Sequence, residues 1–188
     1  MYIKNSDNKN IITYAVSLHF SQDVNNIISQ TMASIAEVTG NLFIIENKVP
    51  PHITIGVFHA TKENELKLIQ LTEEFSKNQN SGYVHFTEIG NFDSKVLFLK
   101  PEKDEFLADL NKRLHELILP DFEKGENGYY LPDIWFPHTT LATRLNQSQF
   151  SKALSVAEKT KLPLTANVCE IGFYQCSPFL ELKKFKLS

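Results

Sequence analysis

The chain of 188 residues is poor in several residue types that would announce common protein classes. Its two cysteines, Cys169 and Cys176, are too few for the disulfide framework of a small secreted protein. Their spacing matches no common zinc pattern, so two reduced thiols in or beside a strand are expected. Arginine occurs twice, as Arg113 and Arg144, among 19 basic residues set against 22 acidic ones, a formal net charge of −3. An extended non-specific nucleic-acid surface needs a basic excess and is not expected here, whereas one phosphate or a short oligonucleotide in a cleft would fit. No stretch approaches the roughly 18 uninterrupted apolar residues of a membrane span. The start, Met1-Tyr2-Ile3-Lys4-Asn5-Ser6-Asp7, lacks the basic-then-apolar order of a signal peptide. These absences lead to the expectation of a cytoplasmic protein with no membrane partner. No Gly/Ser/Pro linker, low-complexity tract or block of like charge divides the chain, so a single domain over 1–188 is expected.

Aromatic residues are plentiful: 14 Phe, 6 Tyr and 1 Trp, within an apolar fraction of 42%. That is too much apolar material for a disordered chain. A chain of this size buries on the order of 70% of its unfolded surface, enough for a substantial core. Residues 11–20 are rich in β-formers and predict a strand. Val24, Ile27, Ile28, Met32 and Ile35 recur at helical spacing and predict a helix over 23–39, stopped by Gly40. Strands are predicted at 42–46 and 52–59, separated by Pro50-Pro51, then a helix over about 62–77 and a strand at 83–89.

The second half repeats this order. A short strand at 96–99 precedes a helix over 103–119, whose Phe106, Leu107, Leu110, Leu114, Leu117 and Ile118 share a face and which Pro120 closes. A polar loop with Gly125 and Gly128 leads to 129–135, in the place of the weak strand of the first half. A strand at 138–145, a helix near 147–160 and strands near 166–174 and 180–187 complete the chain. The pattern predicts an α+β fold, duplicated and bilobal. Two similar lobes of antiparallel sheet would carry helices on the outside around a central cleft, with pseudo-repeats at roughly 11–90 and 95–188.

The duplication extends to individual residues. Pro51-His52-Ile53-Thr54-Ile55-Gly56 corresponds to Pro137-His138-Thr139-Thr140-Leu141-Ala142, 86 residues later. With 8 Pro, 6 His and 12 Thr in the chain, random placement gives about 0.016 copies of Pro-His-x-Thr. Two copies at equivalent places are not coincidence. Residues i and i+2 of a strand share a face, so His52 points with Thr54 and His138 with Thr140. Ile53, Ile55, Thr139 and Leu141 point the other way, under a helix layer. If a pseudo-twofold axis relates the halves, two imidazoles and two hydroxyls surround one small volume. Two histidines flanking a phosphorus centre suit acid–base phosphodiester chemistry, one taking a proton from the attacking oxygen while the other gives one to the departing oxygen. The hydroxyls of Thr54 and Thr140 can hold the non-bridging oxygens. Two histidines with no further ligand on those strand faces are too few for a metal site, so neither metal nor cofactor is expected.

These motifs, His52-Ile53-Thr54-Ile55 and His138-Thr139-Thr140-Leu141, each preceded by proline, resemble those of the 2H phosphoesterase superfamily, which includes bacterial 2′-5′ RNA ligase-like proteins and cyclic phosphodiesterases. The resemblance spans essentially the whole chain. It departs at Thr139, a position that is hydrophobic in the family's pattern. The resemblance implies two α+β lobes enclosing a cleft, with one motif on each side. It also implies metal-independent opening or hydrolysis of 2′,3′-cyclic phosphates or 2′-5′ phosphodiester linkages. The expected partner is a nucleotide or short RNA-type phosphodiester, and the expected assembly a monomer. A non-catalytic binder of cyclic or oligonucleotide phosphates and an RNA end-joining ligase are the alternative readings.

Three further residues are candidates for substrate binding. Arg144 has the strand parity of His138 and Thr140 and could reach a phosphate at the strand end. Tyr130 and Trp135, with Tyr129 and Phe136, lead into the second motif, where a ring could stack on a nucleobase or pack between the lobes. The remaining histidines, His19, His59, His85 and His115, lack a partner motif and are read as structural.

Overall fold

The structure, a computed structural model, describes residues 10–188; the polar start of the chain lies outside the described residues. Strand β1, Ile11–Phe20, leads into helix α1, Gln22–Thr39. In α1, Val24, Ile28, Met32 and Ile35 recur every three or four residues and are buried on one stripe. Gly40 ends the helix in the left-handed region (φ +67°), its N–H bonded to the Ala36 carbonyl at 2.8 Å. A single helical turn, α2 (Phe43–Glu46), precedes β2 (Ile53–Thr61), and α3 (Glu65–Lys77) follows after a 3-10 turn. Strands β3 (Gly82–Phe92) and β4 (Val96–Pro101) form a hairpin turned by Asp93 and Ser94, both at positive φ. Helix α4 (Glu105–Ile118) is capped by the Asp104 carboxylate, which accepts from the Phe106 N–H at 2.8 Å. Then come β5 (Glu123–Lys124), β6 (Thr139–Ala142), α5 (Gln147–Ala157), β7 (Leu164–Gln175) and β8 (Leu180–Lys186). Asn146 and Gln149 start α5 with a reciprocal capping box.

Among the described residues the fold is α+β, eight antiparallel strands in one sheet with five helices. Strands run in the order β5-β2-β1-β7-β3-β4-β6, and β8 adds to β7. Helices α3 and α4 cover the β2-β1-β7 part, and α1 and α5 cover the β3-β4-β6 part. Leu107, Leu110, Leu114 and Ile118 of α4 are fully buried against the sheet. Each such side chain contributes about 1.5–3 kcal/mol, which is why this helix needs no stronger local propensity. No helix among the described residues is long and apolar enough to cross a membrane.

Leaving out the edge strand β5, the run β2-β1-β7-β3-β4-β6 reads the same from either end when β1, β2 and β3 are matched to β4, β6 and β7. The registers match as well. Ser17 pairs with Thr54 on β2 and Gly172 on β7, as Phe98 pairs with Thr140 on β6 and Gly90 on β3. Both motif strands carry a bulge at the residue after the motif threonine, Ile55 and Leu141. On this basis we propose that the pseudo-repeats 11–90 and 95–188 are joined in one domain by exchange of their third strands. Each repeat's first helix also covers the other lobe.

Two predicted strands are absent. Residues 42–46 form α2 instead, because no strand is available to pair them and the Asn41 carboxamide oxygen accepts from the Phe43 N–H at 3.3 Å, starting a turn. Residues 129–135 are turns. Glu126, Asn127 and Gly128 all lie at positive φ, which bends the chain out of any extended run.

Candidate active site

His52 and His138 sit one residue before β2 and β6, and the two motifs share their local geometry. The Nδ1 of His52 lies 2.7 Å from the Pro50 carbonyl, and that of His138 lies 2.8 Å from the Phe136 carbonyl. A carbonyl only accepts, so in each ring Nδ1 carries the proton and Nε2 is left bare when the ring is neutral. Nε2 is therefore the atom of each imidazole that exchanges protons. Pro51 and Pro137 fix φ between each carbonyl and its histidine, which gives the proline of both motifs a physical role. Behind the motifs, Ile53, Ile55, Thr139 and Leu141 are buried, as their parity predicts.

Burial holds the His52 imidazole below its ordinary value of 6.5; the Pro50 carbonyl opposes this and a charge on His138 adds to it. Burial lowers His138 too, against the Phe136 carbonyl.

The surroundings of the two rings differ. Around His138 stand Phe92, edge-on with centroids 5.2 Å apart, and Phe98 at 5.1 Å. Phe136 lies beyond at 6.5 Å. Beside His52 stand another imidazole and a pair of hydroxyls. The His19 ring lies 6.1 Å away, and Ser17 Oγ is 3.3 Å from Thr54 Oγ1. A small cavity of about 20 Å³ is lined by Ala15, Ser17, His52, Tyr174 and Phe179. A larger depression of about 480 Å³ beside Lys103, Trp135 and Pro137 has neither motif histidine in its wall.

Two pins tie the motif strands together. The Trp135 indole N–H donates to the Thr54 carbonyl at 3.0 Å, linking a residue three positions before His138 to the first motif. Asn111 of α4, fully buried, donates to the Ile55 carbonyl at 2.7 Å and to the Tyr130 carbonyl at 2.9 Å. Trp135 is thus engaged between the halves. The Tyr130 hydroxyl is pushed up to about 12 by burial, with Glu126 and Cys176 adding to the effect.

Arg144 is placed differently from its parity. Strand β6 ends at Ala142 and Arg144 has φ +58°, so strand alternation no longer applies there. Its exposed guanidinium lies 3.8 Å above the Phe43 ring. His59, His85 and His115 have local partners: Thr13 Oγ1 at 3.1 Å, Thr165 Oγ1 at 2.9 Å and the Asn111 carbonyl at 2.8 Å. His19, read as structural, adjoins the first motif, its ring centroid 6.1 Å from that of His52. The signal was available: Ser17 and His19 share a face, and a β1–β2 pairing carries that face to His52.

A family model described as the 2′-5′ RNA ligase superfamily matches residues 29–177. Solved structures of the same fold include E. coli LigT complexed with 3′-AMP, at 15% identity and TM-score 0.62, with 95% of this chain and 99% of that chain covered. TT0787 of Thermus thermophilus aligns at 16% identity and TM-score 0.60, covering 94% and 98%. Kluyveromyces marxianus Usb1 aligns at 11% and 0.50, covering 93% and 98%. No curated protein sequence matches significantly.

Proposed function

The chain belongs to the 2′-5′ RNA ligase superfamily, and from that premise we propose that it is a phosphoesterase whose two motif histidines open or hydrolyse 2′,3′-cyclic phosphates or 2′-5′-linked nucleotides without a metal. The observation that carries the reading is the matched pair of imidazoles, each with Nδ1 held by a carbonyl and Nε2 left to exchange protons.

In the proposed reaction the neutral histidine accepts a proton at Nε2 from the attacking water as its oxygen bonds to phosphorus. The P–O bond to the sugar oxygen breaks, and the protonated histidine delivers its Nε2 proton there. The net change is addition of water, and the two rings end with their protonation states exchanged. Thr54 and Thr140 donate to the non-bridging oxygens as charge develops. A charge on His138 disfavours a proton on His52, in keeping with the singly protonated pair that this sequence requires. LigT has been captured with 3′-AMP and with ATP, which supports a nucleotide as the kind of substrate to test first.

The test is turnover of 2′,3′-cyclic nucleotides, cyclic dinucleotides and 2′-5′ oligoadenylate in the presence of EDTA, with His52→Ala and His138→Ala alongside. Turnover that survives EDTA and falls about a hundredfold or more in each variant is expected. Tight binding with the ligand unaltered would point to a binder, joining of RNA ends would point to a ligase, and turnover persisting in both variants would refute the scheme.

A further inference from the structure

His19 is the buried titratable group nearest the motifs that the proposed chemistry leaves unused. It is 2% exposed, and its Nε2 lies 2.9 Å from the hydroxyl of Tyr174, itself 2% exposed. That hydroxyl also donates to Glu181 Oε2 at 3.2 Å, so a chain of hydrogen bonds runs from Glu181 on β8 through Tyr174 on β7 to His19 on β1, whose ring centroid lies 6.1 Å from that of His52. The chain has room only because residue 172 is glycine. A Cβ there would stand 2.4 Å from Tyr174 Cε2 and 2.6 Å from His19 Nε2. Phe179 stacks on the Tyr174 ring, with centroids 5.2 Å apart and planes 15° from parallel.

The corresponding places in the other lobe are filled differently. By register Lys100 matches His19, Phe98 matches Ser17 and Phe92 matches Tyr174. Lys100 is turned to Glu88 at 2.9 Å and Phe92 packs on His138. The His19–Tyr174–Glu181 chain is therefore built on the His52 side only.

We infer that His19 is a positioning residue that acts through His52: anchored by Tyr174 and Glu181, its ring walls one side of the His52 imidazole and makes the two motif histidines chemically unlike. The inference rests on the phosphoesterase reading for its kinetic consequence, not for its structural one. Burial, with charges on His52 and Lys184, keeps His19 well below its ordinary value, so it stands beside His52 as a neutral ring. The other titratable groups around this pair are Glu170 and Tyr174 on β7, Glu181, Lys184 and Lys186 on β8, and His138 of the second motif.

The test uses histidine-labelled full-length protein, with long-range proton–nitrogen NMR following each ring from pH 4 to 9 beside kcat and KM on a 2′,3′-cyclic nucleotide. In His19→Ala, water reaches His52, and its titration midpoint rises toward 6.5 by about half a unit or more. There kcat falls about tenfold or more while KM stays within about threefold, the signature of lost positioning. His19→Gln, which can still bond Tyr174, recovers most of both, and Tyr174→Phe shifts His52 in the same direction by less. Tyr174→Phe also keeps the question answerable if His19→Ala fails to fold. An unshifted His52 in the folded variants overturns the inference, even where wild-type turnover upholds the phosphoesterase reading. A shifted His52 in a protein with no turnover upholds the inference and counts against that reading.

Discussion

Replacing Asn111 with alanine removes the pin between the first motif strand and the segment that leads into the second. The side chain is fully buried and its amide makes two hydrogen bonds, to the Ile55 and Tyr130 carbonyls. Each bond contributes about 1 kcal/mol net, and each carbonyl left without a partner in a buried place costs about 1–3 kcal/mol. Asn111 Oδ1 has no partner in the native structure, so its removal returns part of that loss. The balance is a destabilisation of about 3 kcal/mol, a large share of the roughly 5–15 kcal/mol that holds a domain together. For a chain of this length that lowers Tm by about 10 °C. Urea unfolding, followed by far-UV dichroism and by the emission of the single tryptophan, Trp135, measures it. Lys112→Ala, on the exposed side of the same helix, is the control and should stay within about 0.5 kcal/mol. An Asn111→Ala loss no larger than the control's would refute the view that this residue ties the two motif segments together.

Three other expectations follow from single residues. Thr139 is fully buried and its hydroxyl has no partner, so Thr139→Val should stabilise by about 1 kcal/mol, and a fall in the urea midpoint would contradict this. Gly172→Ala should destabilise by about 1–3 kcal/mol, because Tyr174 and His19 must move to admit the methyl group; an unchanged midpoint would mean that they shift freely. His19 and His115 are buried with their protonation pushed down by burial, whereas the unfolded chain takes up protons near 6.5. The unfolded state then binds more protons below that pH, so stability present above about 6.5 is lost as pH falls, by at most about 1.4 kcal/mol per pH unit for each group. Urea midpoints at pH 7.5, 6 and 5 should decline in that order, and a flat series would contradict the assignment.

The repeated motif is legible in the sequence because it is short-range: Pro-His-x-Thr carries its own strand parity and its own hydrogen bond to the carbonyl two residues back. The amphipathic helices are legible for the same reason, their burial stripes being written in spacings of three and four. Pairing between distant strands is not. That β7 lies between β1 and β3 depends on contacts more than 60 residues apart in sequence that no local pattern encodes. His19 escapes a local reading for this reason, since its meaning arises only when Ser17 is set opposite Thr54. The 42–46 run misleads because Phe43, Ile44 and Ile45 are β-formers, yet only Ile44 is buried in the core and no strand edge is offered to them. Arg144 misleads because strand alternation does not extend past the residue where β6 stops.

The central claim is that His52 and His138 act as one proton-transfer unit on a single phosphodiester. Comparing kcat on one 2′,3′-cyclic nucleotide for wild type, His52→Ala, His138→Ala and the double variant tests it most directly. The account predicts a loss of about a hundredfold or more in each single variant and a double variant no worse than the weaker of the two, as for groups that work only together. Losses that multiply in the double variant, or a single variant with undiminished kcat, would contradict it.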